Sequence, residues 1–232
     1  MSDGSCEDDG ASVEFRSLDR IVLASSNAGK VRELEEILRS LGVEAKIIPA
    51  SSVGGMPYCE EDGGHFRANA LIKALVLADK LNSMGQSLAV LSDDSGLEVP
   101  YLGGEPGVHS ARYAGPDAED ADNRALLLER MTGATGERRR ARFICVLCLI
   151  VPGSQPLYFE GTCDGSLSEV ERGDGGFGYD PLFIPEGHSE TWGPGARFQA
   201  RRAGHGPGVG AETGLVAASR PGPGPCVKNR PA

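Results

Sequence analysis

Hydrophobic residues in the first part of the chain alternate between short continuous runs and helical spacing. The apolar run at 20–25 predicts a buried strand, and apolar residues three and four apart over 28–42 predict a helix that ends at Gly42. The segment 44–50 predicts a second strand. The chain is therefore expected to begin as a β-α-β unit.

The same kind of pattern continues through the middle of the chain. An amphipathic pattern predicts a second helix over 65–85, a strand is expected over 87–99 that runs into a turn, and a third helix over 117–131. Alternating patterns then predict antiparallel strands, over 139–151, 156–167 and, more weakly, 168–172. This order predicts an α/β fold, in which flanking helices cover a mixed sheet and two lobes surround a central cleft.

Both ends of the chain differ from this middle. Residues 1–19 are rich in Ser, Asp, Glu and Gly, and residues 193–232 are rich in Gly, Pro and Arg with Glu212 as their sole acidic residue. Such segments bury too little apolar surface to fold alone, so both ends are expected to be disordered. The folded domain is expected over 20–192.

Charge and hydropathy narrow the function. The net charge of −10 argues against a nucleic-acid polymer as partner, because binding to its phosphates needs clustered Lys and Arg. No apolar run approaches the ~20 residues of a membrane span, and no signal-type segment begins the chain. We therefore expect a cytoplasmic protein without a membrane partner.

Six cysteines include one CxxC pair, Cys145 and Cys148, inside a predicted strand. Residues i and i+3 of a strand point to opposite faces, and the chain has no second pair at zinc-ligand spacing. The pair is therefore expected to be two core cysteines.

The stretch Ser25-Ser26-Asn27-Ala28-Gly29-Lys30 lies between the first strand and the first helix. Free N–H groups and the helix dipole at such a turn favour an anion, and Lys30 adds a full positive charge. The alternative is an ordinary helix cap with a solvated lysine. The Walker phosphate loop is absent, because its two glycines four apart before the lysine are missing.

Carboxylates follow in two further stretches. Asp93 and Asp94 end an apolar strand, where a metal ligand or general base is common, although a solvated turn is the alternative. Glu60 and Glu61 precede the second helix, and either of them with Asp94 would suit Mg²⁺. Acidic residues also favour helix starts for dipole reasons alone.

Two features complete the candidate site. Lys73 lies in an apolar helix, where its side chain either extends along the surface to solvent or reaches into a cleft. The segment 175–181 (GGFGYDP) combines glycines with two aromatic residues that alternate. One ring is therefore able to stack on a planar ligand while the other packs inward.

Four stretches in this order and spacing resemble the inosine/xanthosine triphosphate pyrophosphatases, over about residues 20–190. They are SSNAGKVRELEEIL, EEDGGHFRANALIKA, SDDSGLEVPYLGGEPGVHSARYAG and GDGGFGYDPLFIP. The resemblance implies hydrolysis of non-standard purine nucleoside triphosphates (ITP, dITP and XTP) to the monophosphate and pyrophosphate. It also implies a nucleotide-binding cleft, a Mg²⁺ cofactor and a homodimer.

The resemblance also implies roles for single residues. Glu60 and Asp94 would bind Mg²⁺, and Asp94 would be the catalytic base for the attacking water. Substrate would be bound by the rest of the set: Ser25, Ser26, Asn27, Ala28, Gly29, Lys30, Lys73, Ser95, Phe177, Gly178, Tyr179 and Asp180.

One departure from the family concerns the C-terminal tail. The family has a Ser-His-Arg motif there, and this sequence contains none. A shifted reading frame and a diverged end are both open explanations. The alternative function is therefore a nucleotide-binding protein with weak or no catalysis. A carboxylate-based hydrolase of another substrate is a third possibility.

Overall fold

The computed structural model describes residues 18–25, 30–32, 34, 35, 39, 45–173 and 177–191, and the backbone of 198–202 and 215–219. Its main sheet has the strand order β2-β1-β3-β4-β5-β6. The strands are β1 (Arg20–Leu23), β2 (Lys46–Pro49), β3 (Ala89–Glu98), β4 (Arg140–Ile150), β5 (Leu157–Leu167) and β6 (Phe183–Pro185). The described residues include two α-helices with defined ends, α1 (Phe66–Ser83) and α2 (Asp120–Arg130).

The sheet is mixed, which confirms the predicted α/β class. Strand β1 pairs in parallel with both β2 and β3, whereas the β3–β4, β4–β5 and β5–β6 pairs are antiparallel. Every described position between 30 and 39 is helical, as the β-α-β prediction requires. The side chain of His65 caps α1 by accepting a hydrogen bond from the N–H of Ala68 at 3.1 Å.

Helix α1 covers one face of the sheet. Its small and branched apolar residues pack against the side chains of β1, β3 and β4 that point toward the helix. The α1-face cluster contains Val22, Ala70, Ala74, Leu77, Leu81, Val90, Val146 and Cys148.

The opposite face carries two apolar clusters instead of one. The lobe-1 cluster contains Ile21, Leu23, Leu34, Ile47, Ala89, Leu91, Leu147 and Leu149. The lobe-2 cluster contains Leu97, Val99, Leu127, Met131, Ala134, Ala141, Leu167, Tyr179, Leu182 and Phe183. Along β3 the two clusters are separated by the polar residues Asp93 and Ser95, and Ser95 is exposed. This polar break lies between the two clusters, where the cleft between two lobes is predicted.

Two details of the strand prediction were wrong. Strand β3 does not turn after Asp94, because Val90–Glu98 pair residue for residue with β4 and the ladder carries the Asp-Ser-Gly triplet onward. The segment 168–172 is not a strand, because the β5–β6 ladder ends at Leu167 paired with Phe183. Beyond it the N–H of Val170 bonds to the side chain of Ser168 instead of a neighbouring strand.

The CxxC pair lies on two different faces, as predicted. Cys148 is buried in the α1-face cluster, whereas Cys145 is half-buried and packs against the lobe-1 cluster. Neither forms a disulfide bond. Burial raises the pKa of the Cys148 thiol to about 11, which suits an inert core residue.

The predicted disorder at the two chain ends concerns residues that lie mostly outside the described part. In the tail, the backbones of β7 (Phe198–Arg202) and β8 (Leu215–Ser219) pair antiparallel as a separate two-stranded sheet. At these positions the structure has regular pairing where the sequence predicted none. For residues 1–17 and the rest of the tail, disorder stays a prediction.

Among the described residues, no helix has both the length and the apolar composition needed to cross a membrane.

Gly96 permits the close packing of β3 against the segment that follows it. A Cβ at this position would lie 2.5 Å from the carbonyl oxygen of Gly107, 2.6 Å from Ser110 Oγ and 2.8 Å from the Phe66 ring. We expect Gly96→Ala to lower the free energy of unfolding by about 3 kcal/mol, because a backbone carbonyl has little room to yield. Denaturant unfolding measures this. Ser95→Ala, on the exposed face, should change stability by no more than about 0.5 kcal/mol, and equal effects of the two changes would refute the packing argument.

Candidate active site

Two adjacent carboxylates on β3 form the centre of the candidate site. Asp93 and Asp94 are adjacent in β3 and so point to opposite faces of the sheet. Each meets a lysine from the helical segment on its own face: Lys30 Nζ lies 2.5 Å from Asp93 Oδ2, and Lys73 Nζ lies 2.7 Å from Asp94 Oδ1. Lys73 thus reaches into the site instead of extending to solvent.

Asp94 is the more specialised of the two carboxylates. Burial raises its pKa, the charge and hydrogen bond of Lys73 oppose the rise, and the nearby Glu61 adds to it, so the pKa stays above the ordinary aspartate value. Asn69 donates from Nδ2 to Asp94 Oδ2 at 3.3 Å. A carboxylate with a raised pKa is a better proton acceptor than an ordinary one, which suits a general base.

Lys30 remains charged despite its surroundings. Burial alone would lower its pKa, but the charge and hydrogen bond of Asp93 outweigh that effect and raise the pKa above the usual lysine value. Ser25 is half-buried at the end of β1. Ser26, Asn27, Ala28 and Gly29 lie outside the described residues, so the predicted anion-binding turn stays a prediction.

The acidic loop before α1 presents Glu61 to the site, not Glu60. Glu61 Oε2 lies 3.5 Å from Lys73 Nζ, so Glu61 and Asp94 share one ammonium group. Glu60 is exposed to solvent. The geometry therefore favours Glu61 as the partner of Asp94, and the predicted ligand role of Glu60 stays untested.

Two residues that hold this loop were not singled out from the sequence. Asn69 is fully buried, and its Oδ1 accepts from the N–H of Gly63 at 2.9 Å while its amide donates to Asp94. Arg112 donates to the carbonyl of Glu61 at 3.2 Å. Asn69 lies one helical turn before Lys73, so its position i−4 from a lysine in an apolar helix is the signal that would have found it.

The two aromatic rings of the glycine-rich loop lie in different environments, one buried and one exposed, as predicted. Tyr179 is buried in the lobe-2 cluster, and its hydroxyl donates to the carbonyl of Ser110 at 2.9 Å. The Phe177 side chain is 69% exposed, and its N–H donates to Asp180 Oδ2 at 3.2 Å. Phe177 therefore offers a free aromatic face beside a firmly packed neighbour. Gly175 and Gly176 lie outside the described residues.

The chain matches a known protein family over most of its length. The model of the Ham1 family matches residues 21–196, which is most of the chain. The chain belongs to the Ham1 family. Among solved structures, the Staphylococcus aureus Ham1 protein has a TM-score of 0.65 and 36% identity, covering 75% of this chain and 84% of that one.

Curated relatives carry one common name. The dITP/XTP pyrophosphatase of Methylococcus capsulatus is 49% identical over 170 residues, 72% of this chain and 81% of that protein. The dITP/XTP pyrophosphatase of Thermus thermophilus is 44% identical over 207 residues, 89% and 94% respectively. Because it spans so much of the chain, the second match extends into the tail beyond residue 193. The names agree with the family predicted from the four sequence stretches.

Lys73 should stabilise the fold by compensating the buried charge of Asp94. We expect Lys73→Met to lower the free energy of unfolding by about 3 kcal/mol at neutral pH, since it leaves a buried carboxylate without its partner. The loss should shrink as the pH falls through the raised pKa of Asp94, because a protonated carboxyl needs no counter-charge.

The matched control for this change is Arg67→Met on the same helix. Arg67 and Glu160 form a looser pair, with 56% and 57% of their side chains exposed. Denaturant unfolding at several pH values should show a loss of no more than about 1 kcal/mol for Arg67→Met. A pH-independent effect of Lys73→Met would contradict the charge argument.

Proposed function

We propose that this chain hydrolyses non-standard purine nucleoside triphosphates, namely dITP, ITP and XTP, to the monophosphate and pyrophosphate. The observation that carries the proposal is the environment of Asp94, which is buried, hydrogen-bonded to Asn69 and paired with Lys73. Its pKa is raised by burial, which suits a general base. The name shared by the relatives supplies the substrate class.

Asp94 accepts the proton of the water that attacks the α-phosphorus. Burial destabilises its negative charge and so increases its affinity for a proton, while Lys73 keeps it ionised before the reaction. Asn69 fixes the second carboxylate oxygen, which leaves the carboxyl group little freedom to rotate. The transfer creates a hydroxide equivalent in line with the leaving pyrophosphate.

The carboxylates present fit a Mg²⁺ ion. Asp94 and Glu61 already share one cationic group, the Lys73 ammonium, so both are placed to face a common positive charge. Mg²⁺ takes one or two protein carboxylates and completes its shell with phosphates and water. When bound, the ion neutralises phosphate charge and polarises the phosphoryl group.

The lysines neutralise the triphosphate from two sides of β3. Lys73 approaches from the α1 face and Lys30 from the lobe-1 face, and Lys30 has a raised pKa that keeps it charged. The turn Ser25–Lys30 is the predicted phosphate cradle, and Ser95 is exposed at the next position of β3 after Asp94. Together these groups offset the charge that develops on the leaving group.

The purine base is assigned to the glycine-rich loop. The exposed ring of Phe177 offers the stacking face, and the backbone of Gly178, Tyr179 and Asp180 forms the wall behind it. Assembly as a homodimer and a cytoplasmic location are implied by the family resemblance, and both stay predictions.

The first test measures pyrophosphate release from dITP, ITP and XTP against dATP and dGTP, with Mg²⁺ present. The non-standard substrates should be preferred, and Asp94→Asn should lower kcat by at least about 100-fold, because it keeps the shape of the carboxylate but removes the proton acceptor. Asp164→Asn, an exposed carboxylate bonded to Arg142, is the control and should keep full activity.

Two outcomes would reject the proposal. Equal turnover of dATP and dITP would remove the substrate assignment. Tight dITP binding by calorimetry with no turnover would favour the alternative, a nucleotide-binding protein without catalysis that lacks the Ser-His-Arg motif.

The second test decides which acidic residue accompanies Asp94. We expect Glu61→Gln to raise the Mg²⁺ concentration needed for half-maximal activity by about tenfold or more, because one carboxylate ligand is lost. Glu60→Gln removes a neighbouring charge of the same loop and should shift that concentration by less than about threefold. The reverse ranking would show that Glu60 is the ligand and that the contact with Lys73 does not mark the metal site.

A further inference from the structure

Helix α2 holds both backbone polar groups of Gly178 in the glycine-rich loop. The N–H of Gly178 donates to Asp120 Oδ2 at 2.6 Å, and its carbonyl oxygen accepts from Arg124 Nη1 at 2.9 Å. Gly178 has φ = +57°, a left-handed conformation that glycine adopts readily. A flexible residue is therefore fixed by two side chains from outside the loop.

The two side chains are matched to this task by their spacing. Asp120 and Arg124 are four residues apart, so they lie on one face of α2 and reach the same stretch of backbone. Arg124 also forms an ion pair with Glu171, in which Nε lies 3.1 Å from Oε1. Arg124 thereby contacts the chain just before the glycine-rich loop as well as the loop itself. Leu127 and Met131 anchor the helix in the lobe-2 cluster.

Gly178 immediately follows Phe177, the exposed ring. Packing fixes the neighbouring Tyr179, but the Phe177 side chain extends into solvent. Its backbone is held on both sides, because its own N–H bonds to Asp180 and the next N–H, that of Gly178, bonds to Asp120. Fixed backbone dihedral angles limit the rotamers open to the ring and so the directions in which it projects.

We propose that Asp120 and Arg124 are positioning residues for base recognition, acting through Gly178 to hold the Phe177 ring at the angle that stacks on a purine. The inference rests on the proposed function. Neither residue needs to touch the substrate. Losing one of these charge-assisted hydrogen bonds weakens base binding without disturbing Asp94 and its lysine.

The test compares Asp120→Ala and Arg124→Ala with the wild-type chain, using dITP and Mg²⁺. KM should rise about tenfold while kcat stays within about twofold, because ground-state and transition-state binding of the base weaken together. Asp120→Asn should restore KM to within about threefold, since its amide oxygen still accepts from Gly178. Arg130→Ala, which removes an arginine–glutamate pair with Glu105 on the same helix, should leave KM unchanged.

A double-mutant cycle tests the route through Phe177. If Asp120 and Arg124 act through the ring, adding Arg124→Ala to Phe177→Ala should raise KM no further. Hydrogen exchange of the Gly178 amide should be faster in Asp120→Ala than in Arg130→Ala. Additive effects, or equal exchange in the two variants, would overturn the inference while leaving the proposed function intact. A wild-type chain that does not turn over dITP would instead reject the proposed function.

Discussion

The site depends on one constraint: two adjacent carboxylates in the middle of a strand must each have a positive partner on its own side of the sheet. Strand alternation sends Asp93 and Asp94 to opposite faces, where burial would penalise either charge alone. Lys30 and Lys73 supply the partners, each from a different helical segment. The charges that the proposed chemistry uses therefore hold the two helical segments, with the loops before them, against β3.

This constraint explains the asymmetry of the two faces. On the α1 face Asp94 is buried and paired with Lys73, and burial raises its pKa. On the other face Asp93 and Ser95 interrupt the apolar surface between the lobe-1 and lobe-2 clusters. Neighbouring positions of one strand thus provide a buried carboxylate and a polar surface, and Tyr179 ties the aromatic loop to the lobe-2 cluster.

Local patterns predicted much of this, and long-range contacts account for the rest. The β-α-β opening, both long helices and the opposed directions of Asp93 and Asp94 follow from periodicity. The length of β3 did not, because its Asp-Ser-Gly segment is a good turn sequence that pairing with β4 holds extended. The position of Glu61 beside Lys73 depends on the loop path set by Asn69 and Arg112. The hydrogen bonds from α2 to Gly178 join residues more than fifty positions apart.

The most direct test of the central claim is a carboxyl ¹³C NMR titration of the chain labelled at aspartate, with Asp94→Asn used to assign the resonance. We expect Asp94 to titrate above the ordinary aspartate range, and its resonance to shift when Mg²⁺ is added. An Asp94 that titrates at or below the ordinary value, and does not respond to Mg²⁺, would contradict the claim that this carboxylate is the buried base of the site.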